Sequence, residues 1–296
     1  MNELFDSARY LECNPDVAEA VAKGTMRSAW SHFVDFGYRE GRPGVPEAVN
    51  RVVRDVMETR PAPPPEKLIL RVNGSSDAAS FEGVGKRVAL DIYAAVSPRL
   101  PLQSDLSILD FGCGCGRVLP FMRAIAPRST IHGTDIDAEA IAWCRDNYSA
   151  DGRDGRFAFE TNDARPPTRF ASGKFDLIYG ISVFTHLPRE LEDLWLGELR
   201  RMTKPGGYLV LSIQNETLIR PHLSVEARLT LDRDGIYHFP YGGTEGLPDF
   251  YQSTWHTHSY VDAVWSRYFT IAEKVTAGIS NHQDLILCRR PVAGAA

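Results

Sequence analysis

A glycine-rich turn is the stretch of this chain best suited to hold a ligand. Gly112, Gly114 and Gly116 alternate with other residues directly after the apolar run at 106–111. Glycine lets the backbone approach a ligand closely and adopt positive φ at little cost. A second apolar run further along ends in Asp135, whose carboxylate suits hydrogen bonds to two ribose hydroxyls. The spacing therefore predicts a binding site built from main chain and one acid.

The elements around this turn are those of a parallel α/β sheet. The run at 106–111 predicts a strand buried on both faces, and apolar residues from Val118 onward recur at helical spacing. The glycines read G-x-G-x-G, which differs from the dinucleotide fingerprint G-x-G-x-x-G. Together with Asp110, Asp135 and the Lys-Pro-Gly-Gly turn at 204–207, the pattern resembles the class I S-adenosylmethionine-dependent methyltransferases over roughly residues 80–290.

The resemblance implies S-adenosylmethionine as cofactor and a set of residues that contact it. The implied contacts are Asp110, Gly112, Cys113, Gly114, Gly116, Asp135, Ile136, Asn162, Asp163, Ala164 and Ser182. Asn162 and Asp163 end the predicted third strand, where members of this family bond the adenine amine. The alternative for Asp163 is a turn residue before the prolines at 166–167.

Histidines are the candidate catalytic residues. A hydroxyl that attacks the sulfonium methyl needs a general base, and histidine is the usual base near neutral pH. The candidates are His186, His256 and His282, of which His186 is favoured because its loop follows the fourth strand and would adjoin the methyl. The alternative for His186 is helix capping or loop packing. A carboxylate nucleophile would need orientation and no base.

Residues 214–257 exceed the minimal fold and predict a cap over the active site. They are rich in aromatic side chains, of which Tyr237, Tyr251 and Trp255 are the predicted substrate contacts. The acids are scattered, which predicts a reaction without a metal. Ser-Val-Phe-Thr at 182–185 stands where amino-group nucleic-acid methylases carry Asn/Asp-Pro-Pro-Tyr/Phe, which favours O-methylation of a small molecule or sugar.

Two further functions stay open at this point. One is an N-methyltransferase acting on an amine or a peptide natural product. The other is a cofactor-binding but non-catalytic partner of a glycosyltransferase or synthase, which the N-terminal helical pattern suggests. The sequence does not identify the acceptor.

The predicted fold class is α/β: a Rossmann-like seven-stranded, mostly parallel sheet with an antiparallel last strand. The predicted organisation is a helical module at 1–45, a linker and lead-in segment at 46–79, and a methyltransferase domain at 80–296 that contains the cap. The module is too short to bury much apolar surface alone. It is expected to dock on the catalytic domain or on a partner subunit of a homo-oligomer.

Composition narrows the class of protein. Of 296 residues, 43% are hydrophobic and 24% charged, and the formal net charge is −5. Nucleic-acid binding draws most of its affinity from a positive field, so no nucleic-acid partner is expected. No apolar run reaches the length of a membrane span and no leader pattern is present, so we expect a cytoplasmic protein. The five cysteines lack zinc-ligand spacing, which fits a reducing compartment.

Overall fold

The structure, a computed structural model, describes residues 4–149, 155–239, 241–242 and 246–292. Its strands in chain order are β1 Ser107–Phe111, β2 Thr130–Asp135, β3 Phe157–Thr161, β4 Phe175–Gly180, β5 Thr203–Gln214, β6 Ile236–His238, β7 Thr254–His256, β8 Thr270–Ile279 and β9 Gln283–Arg289. Seven of them form one sheet in the order β3-β2-β1-β4-β5-β9-β8, with β9 antiparallel to both of its neighbours. The other pairs are parallel, which confirms the predicted Rossmann-like sheet.

The helices connect and cover these strands. In chain order they are α1 Ser7–Cys13, α2 Pro15–Ala22, α3 Ala29–His32, α4 Tyr38–Glu40, α5 Glu47–Glu58, α6 Glu66–Asn73, α7 Ala78–Val96, α8 Leu119–Ile125, α9 Ala138–Cys144, α10 Arg189–Met202, α11 Glu216–Ile219, α12 Val225–Asp234 and α13 His258–Val264. The longest, α7, is capped at its N-terminus by Asp77, whose carboxylate accepts a hydrogen bond from the Ala79 N–H. Side-chain caps of this kind satisfy amide groups that the first helical turn leaves unpaired.

Both faces of the sheet are buried, as the apolar run of β1 requires. Side chains alternate between faces along a strand, so neighbours in sequence enter different cores. Along β5, Val210 packs with α7, α8 and α9, whereas Leu209 and Leu211 pack with α10 and α13. Helices on both faces leave the strand ends as the natural place for a binding site.

The N-terminal helices share the core of the main domain. Tyr10 and Phe33, from α1 and the π-helical turn after α3, are almost fully buried in the same cluster as Val88 of α7. The ring of Trp30 lies 6.1 Å from that of Tyr93, centroid to centroid. The segment predicted as a module therefore packs against α7, which carries one of the helical faces of the domain.

The predicted cap segment, 214–257, folds into short elements between β5 and α13. α11 and α12 lead into β6, which pairs antiparallel with β7, with Tyr237 opposite Trp255. None of the helices in the described ranges combines the length and the apolar character that a membrane crossing requires.

Candidate functional site

A cavity opens at the carboxyl ends of β1, β2 and β4. It is lined by Phe111 and Asp135, which end β1 and β2, and by Ile181, which follows β4. The strand order reverses here, because β2 and β3 lie on one side of β1 while β4 and β5 lie on the other. Open α/β sheets bind ligands at such a point.

The glycine loop forms one wall of the cavity. Gly112 and Gly114 line it with φ of 75° and 52°. A Cβ on Gly112 would lie 2.3 Å from Val183 Cγ2, and one on Gly114 would lie 2.5 Å from Val72 Cγ2. Both distances are too short for carbon atoms, so side chains at these two positions are excluded.

Two other residues of the loop differ in their placement. Cys113 is buried and lines the cavity. Gly116 does not line it: a Cβ there would lie 2.6 Å from Cε2 of Tyr148. The absence of a side chain at Gly116 therefore allows the loop to pack against the Tyr148 ring, and it does not shape the cavity surface.

Asp135 links the glycine loop to the end of β2. Its Oδ2 accepts a hydrogen bond of 2.7 Å from the Gly114 N–H, and its Oδ1 accepts one of 2.8 Å from the Asp137 N–H. Burial raises the pKa of Asp135, and these two donors act in the opposite direction. The carboxylate is thus fixed at the cavity beside Ile136, which also lines it.

The end of β3 contributes an amide. Asn162 and Ala164 line the cavity. The Oδ1 of Asn162 accepts a hydrogen bond of 2.8 Å from Thr134 Oγ1, and its Nδ2 donates to the Asp163 carbonyl. The Asp163 side chain is exposed and does not line the cavity, so this residue contributes to the turn through its main chain.

One acidic and one basic side chain with unpartnered atoms lie on the same cavity. Asp110 Oδ2 and Arg117 Nε are buried and have no hydrogen-bond partner among the described residues. Burial raises the pKa of Asp110 to about 8, the nearby Tyr179 hydroxyl acts in the opposite direction, and Asp135 adds to the rise. Burial lowers the pKa of Arg117. Unpaired buried polar atoms are costly, so they mark places where a ligand can form the missing bonds.

Arg117 was not among the sequence predictions. Its Nη1 donates to the Val72 carbonyl and to Asn73 Oδ1, both at 3.2 Å, and no carboxylate in the described residues forms an ion pair with it. A cation just before the first turn of a helix, here α8, opposes the helix dipole. That unfavourable position was the signal available in the sequence for singling out Arg117.

His186 and Tyr251 form the wall that faces the cap. Both line the cavity, and their rings are stacked with centroids 4.1 Å apart. His186 Nδ1 lies 3.2 Å from the Gln252 carbonyl oxygen. Burial lowers the pKa of His186 to about 4 and raises that of Tyr251 to about 12, so both side chains are neutral at pH 7.

The structure does not bring the other two histidines to the cavity. His256 is buried on the α10 side of the sheet, where its Nε2 lies 2.5 Å from Glu192 Oε2 and Trp265 Nε1 donates to Glu192 Oε1. His282 lies in the turn between β8 and β9 and is not a lining residue. Only His186, of the three predicted bases, adjoins the site.

The predicted substrate contacts also separate. Tyr251 lines the cavity together with Leu247 and Phe250, two cap residues that the sequence did not single out. Tyr237 and Trp255 instead stack on each other across the β6–β7 pair, with ring centroids 5.6 Å apart, and neither lines the cavity. Their aromatic character serves the small sheet.

With this geometry in place, comparison with known proteins gives the class. Residues 108–207 match the family described as a methyltransferase domain. The chain therefore carries a class I S-adenosylmethionine-dependent methyltransferase domain.

Individual relatives match only part of the chain. It is similar, at 30% identity over 111 residues, to the ribosomal protein L11 methyltransferase of Thiobacillus denitrificans, covering 38% of this chain and 33% of the relative. It is 30% identical over 116 residues to the malonyl-[acyl-carrier protein] O-methyltransferase of Pectobacterium atrosepticum, covering 38% and 40%. The chain thus spans well under two thirds of the length of these relatives.

A solved structure shows the same fold. The magnesium protoporphyrin IX methyltransferase of Synechocystis PCC 6803, with bound S-adenosylhomocysteine, superposes with a TM-score of 0.51 at 19% identity. The superposition covers 75% of this chain and 92% of that one.

The cavity fits S-adenosylmethionine on its own geometry. The bare loop at Gly112 and Gly114 allows close approach of a ligand, and Asp135 supplies a fixed carboxylate for ribose hydroxyls. The unpartnered Asp110 Oδ2 and Arg117 Nε match the opposite charges of an α-amino acid group. The ribose and the amino-acid group of the cofactor thus each have a counterpart in the cavity.

Proposed function

We propose that this protein transfers a methyl group from S-adenosylmethionine to an oxygen atom of a small-molecule acceptor, with His186 as general base. The observation that carries the proposal is the placement of His186 on the cavity wall, with its ring held on two sides. Tyr251 stacks on the ring at 4.1 Å, and the Gln252 carbonyl lies 3.2 Å from Nδ1.

These contacts determine the tautomer. A carbonyl oxygen only accepts hydrogen bonds, so a neutral His186 must carry its proton on Nδ1. Nε2 then keeps its lone pair. The low pKa, about 4, keeps the ring neutral throughout the physiological range. His186 therefore offers an unprotonated nitrogen to the proton of an attacking hydroxyl.

The remaining residues would hold the methyl donor. When bound, S-adenosylmethionine supplies an electrophilic methyl group on a sulfonium sulfur. Gly112 and Gly114 would let it approach the main chain, and Asp135 would bond its ribose. Asp110 and Arg117 would take its ammonium and carboxylate. Positioning of two reactants in this way can contribute about 7–11 kcal/mol to the lowering of a barrier.

The cavity favours an acceptor with a flat or apolar body and an acidic hydroxyl. Val183, Leu247 and Phe250 line it beside Tyr251. A base with a pKa near 4 assists removal of a proton best when the hydroxyl is itself acidic, as in a phenol. A sugar hydroxyl is far less acidic, so we propose a small molecule and not a glycan. The relative named as an O-methyltransferase supports oxygen as the target.

The test is methyl transfer by the purified protein to a panel of phenols and aromatic or aliphatic acids. Products and S-adenosylhomocysteine are measured by mass spectrometry, and the methylated atom by NMR. His186→Phe keeps a ring against Tyr251 and removes the base, so kcat for a phenol should fall by about 100-fold or more while cofactor affinity is kept. His222→Ala is the control, because His222 is an exposed histidine outside the cavity.

Three outcomes would count against parts of this proposal. Unchanged turnover in His186→Phe would exclude the general base. Methylation at nitrogen in every active acceptor would favour the N-methyltransferase. Tight binding of S-adenosylhomocysteine without transfer to any acceptor or cell extract would favour a non-catalytic partner.

A further inference from the structure

A polar network joins the N-terminal helices to the turn between β8 and β9. Its centre is Arg87 of α7, whose Nη1 pairs with Asp35 and whose Nε donates to Asp91 Oδ1 at 3.0 Å. Nη2 of Arg87 donates to Ser31 Oγ at 3.1 Å and to Asn281 Oδ1 at 3.0 Å. Arg87 and Asp91 are well shielded, with side chains 11% and 3% exposed.

The N-terminal helical segment and α7 make further contacts with the same turn and with the end of β8. Arg27 donates to the carbonyl oxygens of Thr276 and Asn281, at 3.4 and 3.1 Å. Ser31 Oγ donates to Asn281 Oδ1 at 3.2 Å, and the Ser280 N–H donates to Asp91 Oδ2 at 2.8 Å. The partners of this turn thus include residues from 27 to 35 as well as α7.

The turn needs such support because its backbone is strained. Ser280 and Asn281 have φ of 51° and 56°, and the His282 N–H donates to the Ile279 carbonyl at 2.9 Å. The turn comprises residues 280–282, because Ile279 pairs with Gln283. Two consecutive residues with positive φ are typical of tight hairpin turns that usually contain glycine, most often as Asn-Gly. Here neither residue is glycine, so contacts outside the hairpin must compensate for the strain.

The turn leads directly to Gln283, whose side chain contacts the cavity residue Ser182. Gln283 Oε1 lies 2.7 Å from Ser212 Oγ, and its Nε2 lies 2.9 Å from Ser182 Oγ. The Ser182 N–H donates to Ser212 Oγ at 2.8 Å. Ser182 lines the cavity with a φ of 62°, so it too is a non-glycine residue in a strained conformation.

We propose that the N-terminal helices are a positioning element of the site: through Asp35 and Ser31 they hold the β8–β9 turn, so that Gln283 fixes Ser182 in its strained conformation at the cavity. The path consists of direct contacts, from Asp35 to Asn281, then two residues along the chain to Gln283, then to Ser182. The assignment of the site to S-adenosylmethionine is needed only for the second of the two readouts below.

The first readout is amide hydrogen exchange, measured by mass spectrometry on a peptide covering 181–187 in the full-length protein without ligand. Asp35→Ala removes the module's carboxylate and leaves Arg87 paired with Asp91. It should speed exchange of this peptide, and Gln283→Ala should do the same. Ser31→Ala, which removes one hydroxyl, is the milder variant should Asp35→Ala fail to fold.

The control and the rescue separate positioning from general stability. Arg99→Gln breaks another contact between the α7 region and β8, the 2.8 Å pair with Glu273, and should leave the peptide unchanged. Ser280→Gly relieves the strain of the turn, so adding it to Asp35→Ala should restore slow exchange. The second readout is the dissociation constant for S-adenosylhomocysteine, which should rise about threefold to tenfold in Asp35→Ala and recover in the double variant.

The result that overturns the proposal is a variant in which exchange rises only within residues 4–42 while the 181–187 peptide keeps its rate. Loss of protection that Ser280→Gly does not restore would equally contradict it. A protein that shows the exchange changes and binds no S-adenosylhomocysteine would refute the proposed function and leave the positioning role standing.

Discussion

Replacement of Arg117 by methionine tests how the cavity recognises the amino-acid end of the cofactor. Methionine keeps most of the length of the side chain and removes its charge and donors. The change also removes the bonds to Val72 and Asn73, so a stability measurement must accompany it. We expect weaker binding of ligands that carry a carboxylate and unchanged binding of ligands that lack it.

The size of the effect follows from the burial of Arg117. An exposed ion pair contributes only about 0.2–1 kcal/mol, which would barely be measurable. Arg117 Nε is buried with no partner of its own, so a carboxylate bound there forms a shielded, charge-assisted contact of about 1.5–3 kcal/mol. The dissociation constant should therefore rise about 10- to 100-fold.

The assay compares two ligands by isothermal titration calorimetry. S-adenosylhomocysteine has the amino-acid group, and 5′-methylthioadenosine has the same adenosine and thioether without it. In Arg117→Met the first should lose affinity and the second should bind as it does to the unchanged protein. Equal losses for both would show that Arg117 acts through the fold, and equal retention would show that it does not meet the carboxylate; either result refutes the assignment.

Asp135→Ala should show the opposite ligand pattern, with S-adenosylhomocysteine and 5′-methylthioadenosine both weakened about 10- to 100-fold in the same calorimetric assay, because both carry the ribose. Binding of S-adenosylhomocysteine at pH 7 should release up to about one proton, since the pKa of free Asp110 is about 8 and a bound ammonium favours its carboxylate. Titrations in buffers of different ionisation enthalpy measure this proton release. It should vanish above pH 9 and in Asp110→Asn, and an unchanged release in Asp110→Asn would contradict the assignment of the proton to Asp110. His256→Leu should lower the free energy of unfolding in urea by about 3 kcal/mol, because it leaves Oε2 of the buried Glu192 unpaired and only the Trp265 bond to Oε1 in place, and it should leave cofactor affinity unchanged.

The sequence predicted the parts of the fold whose signals are local. The run that ends at Phe111 with its glycines, and the acid that ends β2, each carry a pattern that chain geometry alone imposes. The seven-stranded, mostly parallel sheet was predicted from the family resemblance. What could not be predicted depends on contacts between distant residues. His256 and His186 occur in similar aromatic surroundings, and only the fold shows that Glu192 faces the first and a cavity faces the second.

Arg117 illustrates the opposite limit. Its significance is that no carboxylate among the described residues pairs with it, and the lack of a partner has no sequence pattern. The pairing of Tyr237 with Trp255 was equally hidden, because strands of three residues give no reliable periodicity. Aromatic content therefore indicated where the cap lies and not which of its rings face the cavity.

The apolar cluster that joins Tyr10 and Phe33 to α7 has a consequence for how this chain can be divided. Removal of the first helices would expose an apolar surface of α7 to solvent and would remove Asp35, one of the two ion-pair partners of Arg87. A shortened protein that starts after these helices should aggregate or unfold at a lower temperature. The full chain should unfold in a single calorimetric transition. A chimera that takes its N-terminal helices from a related protein should therefore need the α7 of that protein as well. The N-terminal helices and α7 are expected to have diverged together.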